Sequence, residues 1–414
     1  MAITMSFKEI KNCICCNSNL LKPVLILNTQ PLANSYHDGS EILTEYPLVL
    51  NVCTDCFHAQ LSVAVEPDEM FSNYLYVSGT SKTLHEYFEW FANMVQSQTI
   101  KNGKVLDIAC NDGTQLSKFK SKGWKTFGID PAKNLFQFSS KNADQIIVDY
   151  FNQDSVKKIN VDTLDVIIAQ NVFAHLENVV DFLNTCKEIM SNKTRLYIQT
   201  SQADMIENNQ FDTVYHEHIS FFSTKSMLTL CNRVGLKLIS VQRTPIHGGS
   251  YIFTISKTEE PDYSVKFSLD IEEKSGRYSL SKYEQYSKEV NTIISNFKNT
   301  IQEYKEKGYI IVGYGAAAKG NTFLNASGVK LHYIIDDNEK KQNLLTPNSN
   351  TIILSSEFIK TLANNVLFVP LAWNFHNEIK SNIKNKIQQL PFKNLFSYKI
   401  YSYYPNTFIE DILL

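Results

Sequence analysis

The sequence predicts an α/β protein with three parts: an N-terminal zinc-binding module, a central Rossmann-like domain and a C-terminal Rossmann-like α/β domain. Three observations carry this. Two Cys-x-x-Cys pairs stand in an N-terminal stretch too short to build a large core. Apolar strands then alternate with amphipathic helices from Lys104 onward. The same alternation begins again at Tyr309, after a polar interval.

A chain of 414 residues has room for two or three domains, and the pattern divides it at residues 1–70, 71–260 and 286–414. Apolar residues at 43% and charged residues at 20% are those of a soluble globular protein. A formal net charge of -2 gives no field that favours nucleic acid or an anionic membrane. No apolar run reaches the ~18 residues of a transmembrane helix. Met1 to Lys11 has neither an apolar h-region nor a small-residue cleavage site, so no secretory signal is expected. Cys110, Cys186 and Cys231 stand alone in apolar stretches, which suits a reducing compartment. The expectation is a cytoplasmic protein, a monomer or weak homo-oligomer, with no nucleic-acid or membrane partner.

Along the chain, Tyr46–Val52 reads as a strand that leads into the second cysteine pair, and residues 71–81 as a loop. Helical spacing of Leu84, Tyr87 or Phe88, Phe91 and Val95 predicts a helix over Lys82–Gln98. Strands are expected at Lys104–Ile108, Lys125–Ile129, Leu164–Ala169 and Arg195–Thr200, with a helix near Thr114–Lys122 and antiparallel strands within 236–256. Residues 257–285 are polar without apolar period and read as a linker. A long helix over Tyr286–Lys307 then leads to strands at Tyr309–Val312, Leu331–Ile335 and Val366–Val369.

Cys13, Cys16, Cys53 and Cys56 form two knuckles about 36 residues apart. A Cys-x-x-Cys turn lets two thiolates reach one ion, and two such turns complete a closed tetrahedron, the signature of structural zinc. Cys15 is surplus. In the central domain, Val105–Thr114 is an apolar strand ending in a small-residue turn with Asp107, Ala109, Asn111 and Gly113. Asp130 ends the next strand, where a carboxylate can accept both ribose hydroxyls. That geometry serves S-adenosylmethionine or NAD; the absence of a full G-x-G-x-x-G disfavours NAD. Gln170 and Asn171 follow the third strand, and Asn171 and His175 share a face if that turn is helical.

Tyr215-His-Glu-His218 packs four titratable residues ahead of Phe221 and Phe222. In an extended segment His216 and His218 would point to one side, so spacing does not choose between them. A metal reading of H-x-H lacks a third ligand.

Taken together, the cysteine pairs, Pro31–Asn34, Tyr74-Leu-Tyr76 with Ser78, Asp107–Gly113, Asn171–His175, Tyr215–His218, His247–Ser250, Gly313–Asn321 and Leu371–Phe375 resemble the C-methyltransferases of nucleotide-linked 4-keto-deoxysugars over nearly the whole chain. The resemblance implies S-adenosylmethionine as donor, a structural zinc, and a C-terminal domain that binds a sugar nucleotide. It implies that His218 removes the proton beside the ketone, with Glu217, Tyr215, His175 and Tyr76 around the developing enolate. Ser78, His247, Gly315, Lys319 and Asn321 are the implied substrate contacts. Two positions depart from the family: Ala109 replaces a glycine, and Tyr251-Ile252 replaces a small, Arg-containing stretch. In Ile311–Asn321, Ala318 stands where the third glycine of a dinucleotide fingerprint belongs, and Asp336 with Asp337 ends the following strand. O- or N-methylation of a sugar nucleotide, a nicotinamide-dependent dehydrogenase, and a zinc-bearing interaction protein without activity are the competing readings.

Overall fold

The computed structural model describes residues 7–71, 79, 82–201 and 204–412. Tyr74, Tyr76 and Ser78 lie outside the described residues. The chain divides into two units, each assembled from separated stretches. The first comprises Met1–Lys22, Asn51–Asp204 and Glu217–Leu280; the second comprises Pro23–Leu50, Met205–His216 and Ser281–Leu414.

The first unit is built on seven strands: β1 Lys104–Ile108, β2 Lys125–Ile129, β3 Gln145–Ile147, β4 Leu164–Gln170, β5 Met190–Ser201, β6 Lys237–Thr244 and β7 Ser250–Ser256. Their order is β6-β7-β5-β4-β1-β2-β3. The five strands from β1 to β5 are parallel, and β7 runs antiparallel to both β5 and β6. Apolar residues such as Val105, Leu106, Ile167 and Ile168 face helices on both sides, which is why these strands read as continuous apolar runs. The order reverses between β1 and β4, and a ligand crevice forms outside the carboxyl ends of strands at such a switch. The Lys82–Gln98 helix buries Leu84, Phe88, Phe91 and Val95, the stripe that predicts it. In this unit the short strand Ala59–Leu61 pairs antiparallel with Ser220–Phe221.

The second unit carries β8 Ile310–Tyr314, β9 Tyr333–Ile335, β10 Ile353–Leu354, β11 Val366–Pro370, β12 Tyr398–Ser402 and β13 Phe408–Asp411, ordered β10-β9-β8-β11-β12-β13. Only the pairing of β13 to β12 is antiparallel among the described pairs of this sheet. It too has a switch point, between β8 and β11.

The interval 257–285 is not a linker. Tyr263–Lys274 is a helix, and the long helix starts at Leu280 and runs to Glu306. The first of these escapes periodicity because two of its inward positions are polar: Ser268 and Glu272 are buried beside Val265. The Glu272 carboxylate accepts from the Thr224 amide and hydroxyl and from the Tyr251 hydroxyl at 2.6 Å. Buried polar groups bonded in this way replace the apolar stripe. No described helix is long and apolar enough to cross a membrane.

Candidate active site

The turn after β1 departs from ordinary backbone three times: Ala109, Asn111 and Gly113 have φ of 59°, 52° and 77°. The amides of these three residues are bonded within the protein, Ala109 to the Ile129 carbonyl, Asn111 to Asp130 and Gly113 to the Cys110 carbonyl. Glycine is required at position 113, where a Cβ would come within 2.9 Å of the Asn142 Cβ and 3.0 Å of the Ser139 backbone. Alanine at 109 bears the left-handed strain that a glycine would avoid.

Asp130, at the end of β2, accepts from the Asn111 and Ala132 amides, each at 2.8 Å. Burial raises its pKa above the ordinary carboxylate value, and Asp107 is raised further by burial and by the nearby charges of Asp130 and Asp112. Asp107, Asn111, Asp112, Asp130, Gln170, Asn171, His175 and His247 share the walls of a cavity of about 280 Å³ with Phe88 and Phe182. Gln170 Nε2 donates to Gln115 Oε1 at 2.9 Å, while the buried Gln170 Oε1 has no protein partner. Three carboxylates and an unsatisfied acceptor suit a cationic ligand with amino and hydroxyl donors, which S-adenosylmethionine is.

Asn171 and His175 both line this cavity, but not on one helical face: Asn171 has φ 54°, and only Phe173–His175 forms a 3-10 turn. Asn171 Nδ2 lies 2.9 Å from His247 Nε2, so the amide donates and the His247 proton sits on Nδ1. His247 itself has φ 57°, a strained conformation at the cavity wall. The resemblance implies an acceptor contact for His247; its bond to Asn171 ties it to the turn after β4. Burial lowers the His175 pKa to about 4, so its imidazole is neutral near pH 7.

The 215–218 motif is not extended; Tyr215–Glu217 forms a bend and turn, so side-chain alternation does not apply. The division between the two units falls between His216 and Glu217. His216 Nε2 lies 3.3 Å from both the Tyr46 and Pro47 carbonyls, within the second unit, and burial lowers its pKa to about 4. His218 is in the first unit, with its ring centroid 5.1 Å from that of His175. Glu217 and His218 are both buried. Tyr251 is buried in the Glu272 network rather than on the cavity wall.

The sulfurs of Cys13, Cys16, Cys53 and Cys56 all lie within 4.8 Å of one another, with the Cys13–Cys56 and Cys16–Cys53 pairs at 3.5 Å. Zinc–sulfur bonds of about 2.3 Å put tetrahedral sulfurs about 3.8 Å apart, so the set fits the ion and is far too open for disulfides. Asn17 and Phe57, each following its second cysteine, have φ of 66° and 55°. The two knuckles thus repeat one geometry, although only asparagine is at ease in it. Cys15 is fully buried beside the set and is not part of it.

In the second unit Gly315 has φ 96°, and a Cβ there would meet the Ala372 Cβ at 2.8 Å. Asn321 Nδ2 donates to the Ala33 carbonyl at 2.8 Å and to the Tyr36 hydroxyl. Lys319 Nζ lies 5.1 Å from the centre of the Trp373 ring, and the Trp373 indole donates to Asp212 at 2.6 Å. Burial lowers the Lys319 pKa, and Asp212 opposes that shift.

Three family models match in chain order: "Putative zinc binding domain" over residues 13–71, "Methyltransferase domain" over 81–241 and "C-methyltransferase C-terminal domain" over 245–390. The chain is thus an S-adenosylmethionine-dependent C-methyltransferase with an N-terminal zinc module, and S-adenosylmethionine and zinc are its cofactors. It is similar to C-methyltransferase NovU of Streptomyces niveus, with 25% identity over 92% of this chain and 94% of that one. A 99-residue stretch is 24% identical to a ubiquinone biosynthesis O-methyltransferase of Rhodopseudomonas palustris (strain BisA53), covering 23% of this chain and 39% of the relative. Among solved structures, magnesium protoporphyrin IX methyltransferase from Synechocystis PCC 6803 with bound SAM aligns at 11% identity over 42% of this chain and 79% of its own, with a TM-score of 0.33.

Proposed function

We propose that the enzyme methylates the carbon beside the ketone of a nucleotide-linked keto-deoxysugar through an enolate, with His218 as the base. The observation that carries this reading is the His218–His175 pair, 5.1 Å between rings, with His175 on the wall of the donor cavity. A base must stand close to the donor methyl for the carbanion to be captured as it forms. Bound S-adenosylmethionine supplies the electrophilic methyl group. Asp130 holds the donor ribose, Asp107, Ala109, Asn111, Gln170 and Asn171 line the rest of its site, and Gly113 shapes the turn from behind the cavity wall. His218 takes the carbon-bound proton; Glu217 orients the imidazole. His175, neutral at pH 7, donates an N–H to the enolate oxygen; Tyr215 and Tyr76 are the further donors that the resemblance implies.

The sugar-nucleotide class rests on the motif resemblance and on the second unit, where Lys319 over Trp373 offers a cation to a diphosphate. Ser78, His247, Gly315 and Asn321 are the further acceptor contacts that the resemblance implies.

His216 is tied to two backbone carbonyls, so the two histidines of the motif separate by function. His218→Asn should lower methyl transfer about 10²–10⁴-fold, the usual size of lost general-base catalysis, with donor affinity unchanged. His216→Asn should cost much less in rate and more in stability. Single-turnover transfer and calorimetric donor titration check both. The reverse order of rates would make His216 the base.

A further inference from the structure

The chain after the knuckle Cys53–Cys56 leads directly into a strand that pairs with the residues following His218. His58, two residues after Cys56, is fully buried. Its carbonyl accepts from the Cys53 amide at 2.9 Å, and its Nε2 lies 3.3 Å from the Ser220 hydroxyl. Strand Ala59–Leu61 then pairs with Ser220–Phe221 in the register Gln60↔Ser220 and Ala59↔Phe221, and the Leu61 amide donates to the Ile219 carbonyl. Ser220 is two residues from His218. On its other side the His58 ring packs 4.9 Å from Phe222, Phe222 packs 4.9 Å from Phe173, and Phe173 is two residues from His175. All three aromatic side chains are buried, so these contacts persist only as a set.

One side chain next to the metal knuckle therefore touches both routes: strand pairing to His218 and ring packing to His175. We propose that His58 is a positioning residue that fixes the His175–His218 separation and couples it to the zinc knuckle. This rests on the reading of those two histidines as reacting-centre groups. The physical reason is that Phe173–His175 is a single 3-10 turn and residues 217–219 belong to no helix or strand. A rigid metal turn supplies the reference point. An ordinary structural zinc would need neither a buried imidazole on the catalytic segment's hydroxyl nor a ring on the phenylalanine before His175.

The test uses the zinc-loaded full chain, labelled with ¹⁵N in its histidine rings, so that geometry is read without any acceptor. His218→Asn and a matching His175 variant assign the two ring signals among the nine histidines. His58→Ala is expected to move both the His175 and His218 signals while zinc content stays at about one per chain. S-adenosylmethionine affinity should stay within about twofold, while transfer to a nucleotide-linked 4-keto-deoxysugar falls about 10–100-fold in kcat. Ser220→Ala, which leaves the ring packing intact, should move the His218 signal more than that of His175, and it decides the matter if His58→Ala does not fold. Unmoved signals in a folded, zinc-loaded variant would overturn the proposal. So would loss of zinc from His58→Ala, because His58 would then serve only the metal. If the signals move but His218→Asn transfers methyl at the normal rate, positioning stands and the base assignment fails.

Discussion

The two α/β units carry the same device at the same place, yet their crevices differ in what satisfies them. In the first, the turn after β1 and the carboxylate of Asp130 open onto a cavity of about 280 Å³, where Gln170 Oε1 has no protein partner. In the second, the turn after β8 and the carboxylate of Asp336 have the corresponding relation, with Asp336 Oδ2 accepting from the Ala316 amide at 2.7 Å. There the chain itself supplies further partners. Tyr36 and Lys341 both donate to the Ala316 carbonyl, and Asn321 is bonded to Ala33 and Tyr36. Asn321 Oδ1 is nevertheless buried without a hydrogen-bond partner, so each crevice keeps an unmet acceptor, and what differs is how many of its other polar groups the chain already engages. The dehydrogenase reading takes the second turn for a nicotinamide site; there Tyr36 donates to the Ala316 carbonyl, and the Asn321 amide nitrogen is bonded to Ala33 and Tyr36.

The largest expected effect sets the two carboxylates against each other. Asp130→Ala should weaken S-adenosylmethionine by about 1.5–3 kcal/mol, the range of a charge-assisted hydrogen bond, whereas Asp336→Ala should leave donor affinity unchanged. Equal losses by calorimetry would break the comparison. The two turns themselves come next. Gly315→Ala forces a left-handed alanine into the Ala372 contact and should destabilise the protein by about 1–3 kcal/mol in denaturant unfolding.

The comparison also extends to pH, because each unit holds a buried histidine with its pKa lowered to about 4: His175 in the first and His216 in the second. A histidine whose folded pKa lies below its unfolded value of 6.5 refuses a proton that the unfolded chain accepts. Its contribution is complete above about pH 6.5 and is lost progressively as pH falls toward 4. His216→Asn should therefore flatten the fall in melting temperature across that window, by on the order of 1–2 kcal/mol at its acid end. A melting profile parallel to wild type would show that His216 is not desolvated as described. The smallest effect is at Ala109, where φ is 59°. Ala109→Gly should stabilise the fold by about 0.5–1 kcal/mol, the left-handed strain of alanine less the entropy glycine adds to the unfolded chain.

Much of this was legible in the residues. Helix Lys82–Gln98 and strands β1 and β2 fall where their apolar periods place them, and the four zinc cysteines are brought together as their spacing requires. What was not legible depends on tertiary partners. The Tyr263–Lys274 helix hides its inward face because Glu272 is buried with Thr224 and Tyr251, not against carbon. Residues Pro23–Leu50 and Met205–His216 join the second unit although no composition shift marks them, since assignment to a unit is decided by long-range packing. His58 gave no signal, because one histidine after a cysteine pair acquires meaning only when Ser220 and Phe222 are placed beside it.

The central claim is methyl transfer to carbon through a base-generated enolate, and one measurement reaches it directly. The enzyme is incubated in deuterated water with methyl-¹³C-labelled S-adenosylmethionine and a panel of nucleotide-linked keto-deoxysugars, and the products are read by mass spectrometry and NMR. The account predicts ¹³C bonded to the ring carbon beside the ketone. With S-adenosylhomocysteine in place of the donor, it predicts deuterium at that same carbon without transfer, and loss of both signals in His218→Asn. Label on an oxygen or nitrogen, or transfer to carbon with no exchange under any condition, would contradict it.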